Sequence, residues 1–294
     1  MPQRTPTLFL IGAQKAGSTF LASHLEQASE IAFYGQKEPN IFSLGDESRC
    51  REKMASYTLP DDAPPILLDA SPDYSRIPFI THVPEMIAKI VGSDTPKFIY
   101  ILRDPVERTI SHYFWSRQRY GESYDFEEAI EKDKRYIEGS LYDRQIEEYW
   151  KVFEQERFYF LKFEDYIADP LATLPDLLNW AGASMPDLFA PKEEFDASTN
   201  KVESRQPLFP LLNRIARREG ILREAIKALV PARHHHRLAR GLSRSVPRPH
   251  IDPATKQRLR EVHFRRSIEM TAEMTGLDLS DWLENGATAR VSDA

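Results

Sequence analysis

Apolar positions along this chain keep two rhythms. Four short runs are apolar without interruption at their centres: Thr7–Ile11, Pro65–Asp69, Lys97–Leu102 and Arg157–Lys162, with interiors Leu-Phe-Leu-Ile, Ile-Leu-Leu, Phe-Ile-Tyr-Ile-Leu and Phe-Tyr-Phe-Leu. A strand with one wet face alternates apolar and polar residues, whereas a strand covered on both faces has no polar side to show. After these runs, apolar residues recur at helical spacing, at about 17–28, 83–92, 105–119, 140–154, 170–182 and 252–275. Asp252-Pro253 opens the last of these with a capping carboxylate and a first-turn proline, whose missing N–H is not needed there. Strand and helix in alternation predict an α/β sandwich of three layers, a central parallel sheet flanked by helices. Ligands bind beyond the carboxyl ends of the strands in such folds. Pro60–Pro65 and Arg240–Pro249 read as loops from their proline, glycine and serine content.

The first strand runs into Gly12-Ala13-Gln14-Lys15-Ala16-Gly17-Ser18-Thr19 and then into the helical pattern of Phe20, Leu21 and Leu25. Strand, glycine loop and helix start together place backbone N–H groups at the positive end of a helix dipole, which is an anion cradle and makes the sandwich P-loop-like. A Walker A loop has its lysine directly before the Ser/Thr. Here Lys15 comes earlier, in G-x-x-K-x-G-S-T, and approaches the anion from another part of the loop. A second anion grip follows the third strand. Arg103 ends that strand, Pro105 suits the first turn of a helix, and Ser111 lies about two turns further on. A planar guanidinium fork with a hydroxyl nearby suits a second phosphate.

With 294 residues, 41% hydrophobic and 29% charged, the chain has the size and composition of one large globular domain, read as residues 1–294. No apolar run approaches the length of a membrane span, and the first residues lack a signal-peptide pattern. Cys50 is the only cysteine, which leaves no internal disulfide. A cytoplasmic location is the expectation. The net charge of −6 conceals a polarity: residues 201–266 hold 17 Lys/Arg against 5 Asp/Glu, a balance of +12 that leaves −18 for the rest. Within this stretch, a basic helical insertion or lid is expected at about 205–245, where Leu211, Leu212, Ile215, Leu222, Ile226 and Leu229 keep helical spacing between arginines. Such a surface faces an anionic cofactor, an acidic substrate or the periphery of a membrane, or is simply solvated. It lacks the interleaved aromatics and motifs of a nucleic-acid binder. His234-His235-His236 reads as solvated basic surface, since consecutive imidazoles on a helix point in different directions.

Taken together, these motifs resemble sulfotransferases that use 3′-phosphoadenosine 5′-phosphosulfate (PAPS). Gln14-Lys15-Ala16-Gly17-Ser18-Thr19 is similar to their 5′-phosphosulfate loop, and Arg103-Asp104-Pro105-Val106-Glu107-Arg108 through Ser111 to their 3′-phosphate motif. Lys37-Glu38-Pro39-Asn40-Ile41-Phe42, Ser71-Pro72-Asp73-Tyr74 and Ile251-Asp252-Pro253 resemble the heparan-sulfate-type, carbohydrate-modifying branch. The resemblance runs from about residue 7 to the final helix. It implies that Lys15 neutralises charge on the leaving group. The amides of Ala16, Gly17, Ser18 and Thr19, with the two hydroxyls, would hold the 5′-phosphate, and Arg103 and Ser111 the 3′-phosphate. Glu38 is the implied general base for the acceptor hydroxyl. Sulfuryl transfer is expected to proceed in line, by positioning and electrostatics, with no metal required and adenosine 3′,5′-bisphosphate as product.

The chain departs from the family at Ala70, where the glycosaminoglycan enzymes usually carry lysine, and in Arg244-Ser245-Val246-Pro247-Arg248, which replaces a Lys-Gly-Arg type donor loop. Arg244 and Arg248 are the candidate phosphate clamps there. The expected acceptor is a hydroxyl of a carbohydrate, glycolipid or small metabolite. Two other readings compete. One is a P-loop kinase or NTPase, with Ile66-Leu67-Leu68-Asp69 as its Walker B strand; the other is a non-enzymatic anion- or lipid-binding module built on the basic region.

Overall fold

Leu8–Gly12 (β1), buried along its whole length, lies at the centre of a five-stranded parallel sheet in the computed structural model of the chain. Ile66–Asp69 (β3) and Lys97–Leu102 (β4) flank it, while Ile31–Phe33 (β2) and Phe158–Lys162 (β5) form the edges, giving the order β2-β3-β1-β4-β5. The structure describes residues 4–187, 189 and 250–284, and the backbone of 203–207 and 243–247. All four predicted runs are strands, with ends within a residue of the apolar pattern. Within this sheet β2 was not anticipated; three residues at an edge, paired Ile31↔Ile66 to Phe33↔Leu68, are too short to show a period. Phe9, Phe98 and Phe158 stack across three neighbouring strands with ring centroids 5.5 and 4.8 Å apart, one face of a continuous apolar core.

The chain fills the sheet on one side of β1 and then on the other, so a crevice opens at the carboxyl end of the central strand. Helices flank the sheet, as expected: Ser18–Leu25 (α1), Glu47–Ala55 (α2), Val83–Val91 (α3), Pro105–Tyr120 (α4), Phe126–Lys132 (α5), Arg135–Glu138 (α6), Tyr142–Trp150 (α7), Phe163–Ala168 (α8) and Pro170–Ala181 (α9). Carboxylates cap several of them. Asp46 accepts from Arg49 N at the start of α2, Asp104 from Val106 N and Glu107 N at α4, Asp125 from Glu128 N at α5, and Asp169 from Leu171 N and Ala172 N at α9. By contrast α1 begins on Gly17, left-handed at φ 80°, with no side-chain cap.

Two expectations are corrected beyond residue 200. The helix read as continuous over 252–275 is interrupted: Pro253–Leu259 (α10), capped by Asp252, passes through a π-helical turn at Arg260–Phe264 into Arg265–Thr275 (α11). The wider turn carries the buried Arg260, whose guanidinium donates to Trp282 O (2.5 Å) and lies 3.4 Å from Asp104 Oδ2. Trp282 sits in the short helix Ser280–Leu283 (α12). Arg240–Pro249, expected to be a loop, contains the strand Ser243–Pro247 (β7), paired antiparallel with Glu203–Pro207 (β6). Each strand ends on its proline, where a missing N–H is tolerated, and pairing to a segment forty residues away leaves no local signature. The helical pattern at 211–229 and the three histidines at 234–236 lie outside the described residues, as does the rest of the expected lid apart from these two strands.

Candidate active site

Beyond β1 the chain turns on Gly12, where a Cβ would collide with the Ser75 hydroxyl and the Tyr100 ring. Lys15 and Gly17 both take left-handed φ, 74° and 80°, the backbone ingredient of an anion nest. Two arginines from the β4–α4 corner fasten the loop from behind: Arg108 Nη1 donates to Gln14 O (3.4 Å) and Arg103 Nη1 to Lys15 O (3.1 Å). A trans peptide sets its N–H opposite its carbonyl, so engaging Gln14 O turns the Lys15 N–H away from Arg108. At the helix start, Phe20 N and Leu21 N both donate to Gly17 O, which leaves the amides of Ser18 and Thr19 ahead of the first intrahelical bond. The loop predicted from sequence therefore has the backbone of an anion cradle.

Cations gather around it. Lys15 Nζ lies 6.0 Å from the Trp115 ring centroid, and the Arg103 guanidinium stacks 4.9 Å from that of Phe163. Arg103 Nε is buried and has no hydrogen-bond partner among the described residues. Arg108 is fully enclosed, donating from Nε to Ser140 Oγ (2.5 Å) and from Nη2 to Tyr136 O (2.9 Å). His112 reports the field these groups make. Burial first, then Arg108, Arg76, Arg135 and Lys15, push its pKa down to about 2, so it is neutral at physiological pH. Burial disfavours a charge of either sign, but the contribution of the four cations favours an anion nearby. Ser111 is partly buried on α4 and shares a helix face with Trp115, four residues on.

In the segment that follows β2, Glu38 is exposed and left-handed at φ 52°, and the half-buried Asn40 is left-handed at 50°. Asn40 N donates to Ser71 Oγ (3.0 Å) and Phe42 N to Tyr74 OH (3.2 Å). Both hydroxyls donate onward to the fully buried Asp69, Ser71 to Oδ1 (2.5 Å) and Tyr74 to Oδ2 (2.7 Å). Burial raises the Asp69 pKa to about 6. With each oxygen held by a hydroxyl inside the core, Asp69 is not presented to the crevice as a Walker B carboxylate would be. One further carboxylate reaches the loop: Asp73 Oδ1 accepts from Gln14 Nε2 (3.1 Å), and its Oδ2 lies 3.6 Å from Arg76.

Residues 5–206 match the family described as the sulfotransferase domain. The chain belongs to the sulfotransferase family. Membership places the chain in a family named for sulfuryl transfer and speaks against the kinase reading. The chain is similar to the membrane-associated sulfotransferase kil1 of Dictyostelium discoideum, 28% identical over 162 residues that cover 52% of this chain and 32% of that protein. The match thus spans about a third of that relative's length. In fold it resembles a sulfotransferase from Alicyclobacillus acidocaldarius, with a TM-score of 0.61, 19% identity, and 95% of this chain and 99% of that one covered. A mouse sulfotransferase, SULT7A1, solved in complex with PAP, is more distant, with a TM-score of 0.44, 19% identity, and 67% and 64% covered. No helix among the described residues is long and apolar enough to cross a membrane.

Of the residues expected in the site, the fold joins Lys15 to Arg103 by a hydrogen bond and sets Ala16, Gly17, Ser18 and Thr19 in the loop and helix start. No hydrogen bond links the Glu38 carboxylate to a described residue. Arg244 contributes backbone to β7, opposite Gln206, and Arg248 lies outside the described residues. Sequence reasoning gave no role to Arg108, Gln14, Asp73, His112 or Trp115. The one available signal was position, since Arg108, His112 and Trp115 follow Arg103 on a single helix.

Proposed function

We propose that this sulfotransferase takes its sulfuryl group from PAPS and delivers it to a hydroxyl of a carbohydrate, glycolipid or small metabolite. The observation that carries the reading is the bond from Arg103 to Lys15 O, which fuses a phosphate loop and a strand-end guanidinium into one anion site. The site suits a doubly phosphorylated donor: a nest and helix start for one phosphate, the buried, unpartnered Arg103 Nε with Ser111 for another. PAPS brings a sulfur already activated by its bond to a phosphate oxygen. The amides of Gly17, Ser18 and Thr19 and the hydroxyls of Ser18 and Thr19 hold the 5′-phosphate; the Ala16 amide, expected among them, donates instead to Ala13 O (3.1 Å). Lys15 offsets charge on the oxygen that leaves, and Glu38 receives the acceptor proton as the acceptor oxygen bonds to sulfur. Adenosine 3′,5′-bisphosphate departs, with Arg244 and Arg248 as clamps on the donor. No step in this scheme uses a metal ion.

We read the chain as one domain, supported by side-chain ties between the late helices and the sheet end. A cytoplasmic location goes with the single, buried cysteine and is checked by cell fractionation. The donor assignment is tested by isothermal titration: adenosine 3′,5′-bisphosphate binds and ADP and ATP bind more weakly, whereas tighter binding of ATP overturns it. In an assay of labelled sulfate transfer, Lys15→Ala lowers kcat by about 10²–10³ with the fold retained, the cost of removing one preorganised charge-stabilising group.

A further inference from the structure

Asp69 is a carboxylate that the proposed chemistry does not use, and its connections run to one place. From Oδ1 the path passes through the Ser71 hydroxyl to Asn40 N, and Asn40 Nδ2 donates in turn to Glu38 O (3.1 Å). From Oδ2 it passes through the Tyr74 hydroxyl to Phe42 N. Ile41, between the two docking points, is fully buried, and its carbonyl accepts from Cys50 Sγ (3.2 Å). The segment so held contains two non-glycine residues in left-handed conformation, Glu38 and Asn40, a state that persists only where surroundings over-determine it.

We infer that Asp69 is a positioning residue for the acceptor side of this enzyme, a buried anchor whose two hydroxyl arms fix the backbone from which Glu38 meets the acceptor. The inference rests on the reading of Glu38 as base and adds what sets its place. Asparagine at 69 keeps the shape but offers only one acceptor oxygen, so one arm is released.

The test is a double-mutant cycle of Asp69→Asn and Glu38→Gln in the labelled-transfer assay, with donor KM measured alongside. Asp69→Asn lowers kcat about 10- to 100-fold, the scale of a displaced catalytic group, and leaves donor KM within about twofold. In the Glu38→Gln background the same change costs less than about twofold, because no base remains to misplace. An equal loss in both backgrounds, or a donor KM that rises in step, overturns the anchor and leaves Glu38 as base. Wild-type kcat in Glu38→Gln overturns the base, and the anchor with it. If Asp69→Asn does not fold, Ser71→Ala severs the arm to Asn40 and is judged by the same two comparisons.

Discussion

Arg108 shows what a charged side chain does when it is enclosed. Its fork spans Ser140 Oγ, Tyr136 O and Gln14 O, so it holds the donor loop to the α6–α7 turn, and burial lowers its pKa without an acidic partner. Tyr136 O also accepts from Thr109 Oγ1 (3.0 Å) and Ser140 Oγ donates to Pro105 O (3.2 Å), but Gln14 O has only Arg108 among the described hydrogen bonds. Arg108→Met should therefore destabilise by about 1–3 kcal/mol, the cost of one orphaned buried acceptor, and weaken adenosine 3′,5′-bisphosphate binding through a loosened loop. Denaturant titration and calorimetry check both. Arg108→Lys should do little better, because one ammonium cannot reach three acceptors. None of this could be read in advance. Lys15 and Arg103 stand at a strand-end loop where ligands bind, whereas Arg108 sits among alternating residues of a helix, where an arginine is ordinarily solvated. Its enclosure depends on Gly139, where a Cβ would stand 3.0 Å from Arg108 Nη2.

At the scale of elements, legibility followed burial. Strands covered on both faces announce themselves, and α10 begins where its Asp-Pro pair said it would. Helices α2, α5, α6, α8 and α12 were missed. Within α2 only Cys50 and Met54 are buried, and two apolar contacts in nine residues make no stripe. The ends of β3 and β5 carry an acid–base consequence. Burial raises Asp69 to about 6 at the first, and Glu164, just past the second, to about 7, both above their ordinary values of 3.8 and 4.5. The folded chain therefore holds these protons more tightly than the unfolded chain. Their contribution to stability is complete below about pH 4 and is lost as pH rises through 6 and 7. Measured against Asp69→Asn, the wild type should lose relative stability between pH 5 and 8; parallel denaturation midpoints at both pH values would contradict this.

Across the whole molecule, the region past the matched family segment closes over the carboxyl end of the sheet. Lys162, at the end of β5, donates to Asp281 Oδ1 (2.7 Å) and Asp278 O (3.2 Å), Arg260 reaches Asp104, and Ser267 hydrogen-bonds Asp143 on α7. Trp282 is 1% exposed and packs near the Tyr142 ring. Trp282→Ala should cost about 3–5 kcal/mol and lower the melting temperature of the entire chain in one calorimetric transition. A separate early transition would mark the late helices as an independent unit. The uncapped start of α1 has a consequence at this same scale. Four helices begin on an aspartate that supplies the negative end piece from within the chain, and α10 does so with Asp252. Under the proposed donor reading, Gly17 leaves that piece to the substrate: a bound phosphate would act as a removable fragment of secondary structure, completing the first helix of the fold and leaving it unfinished again with each turnover.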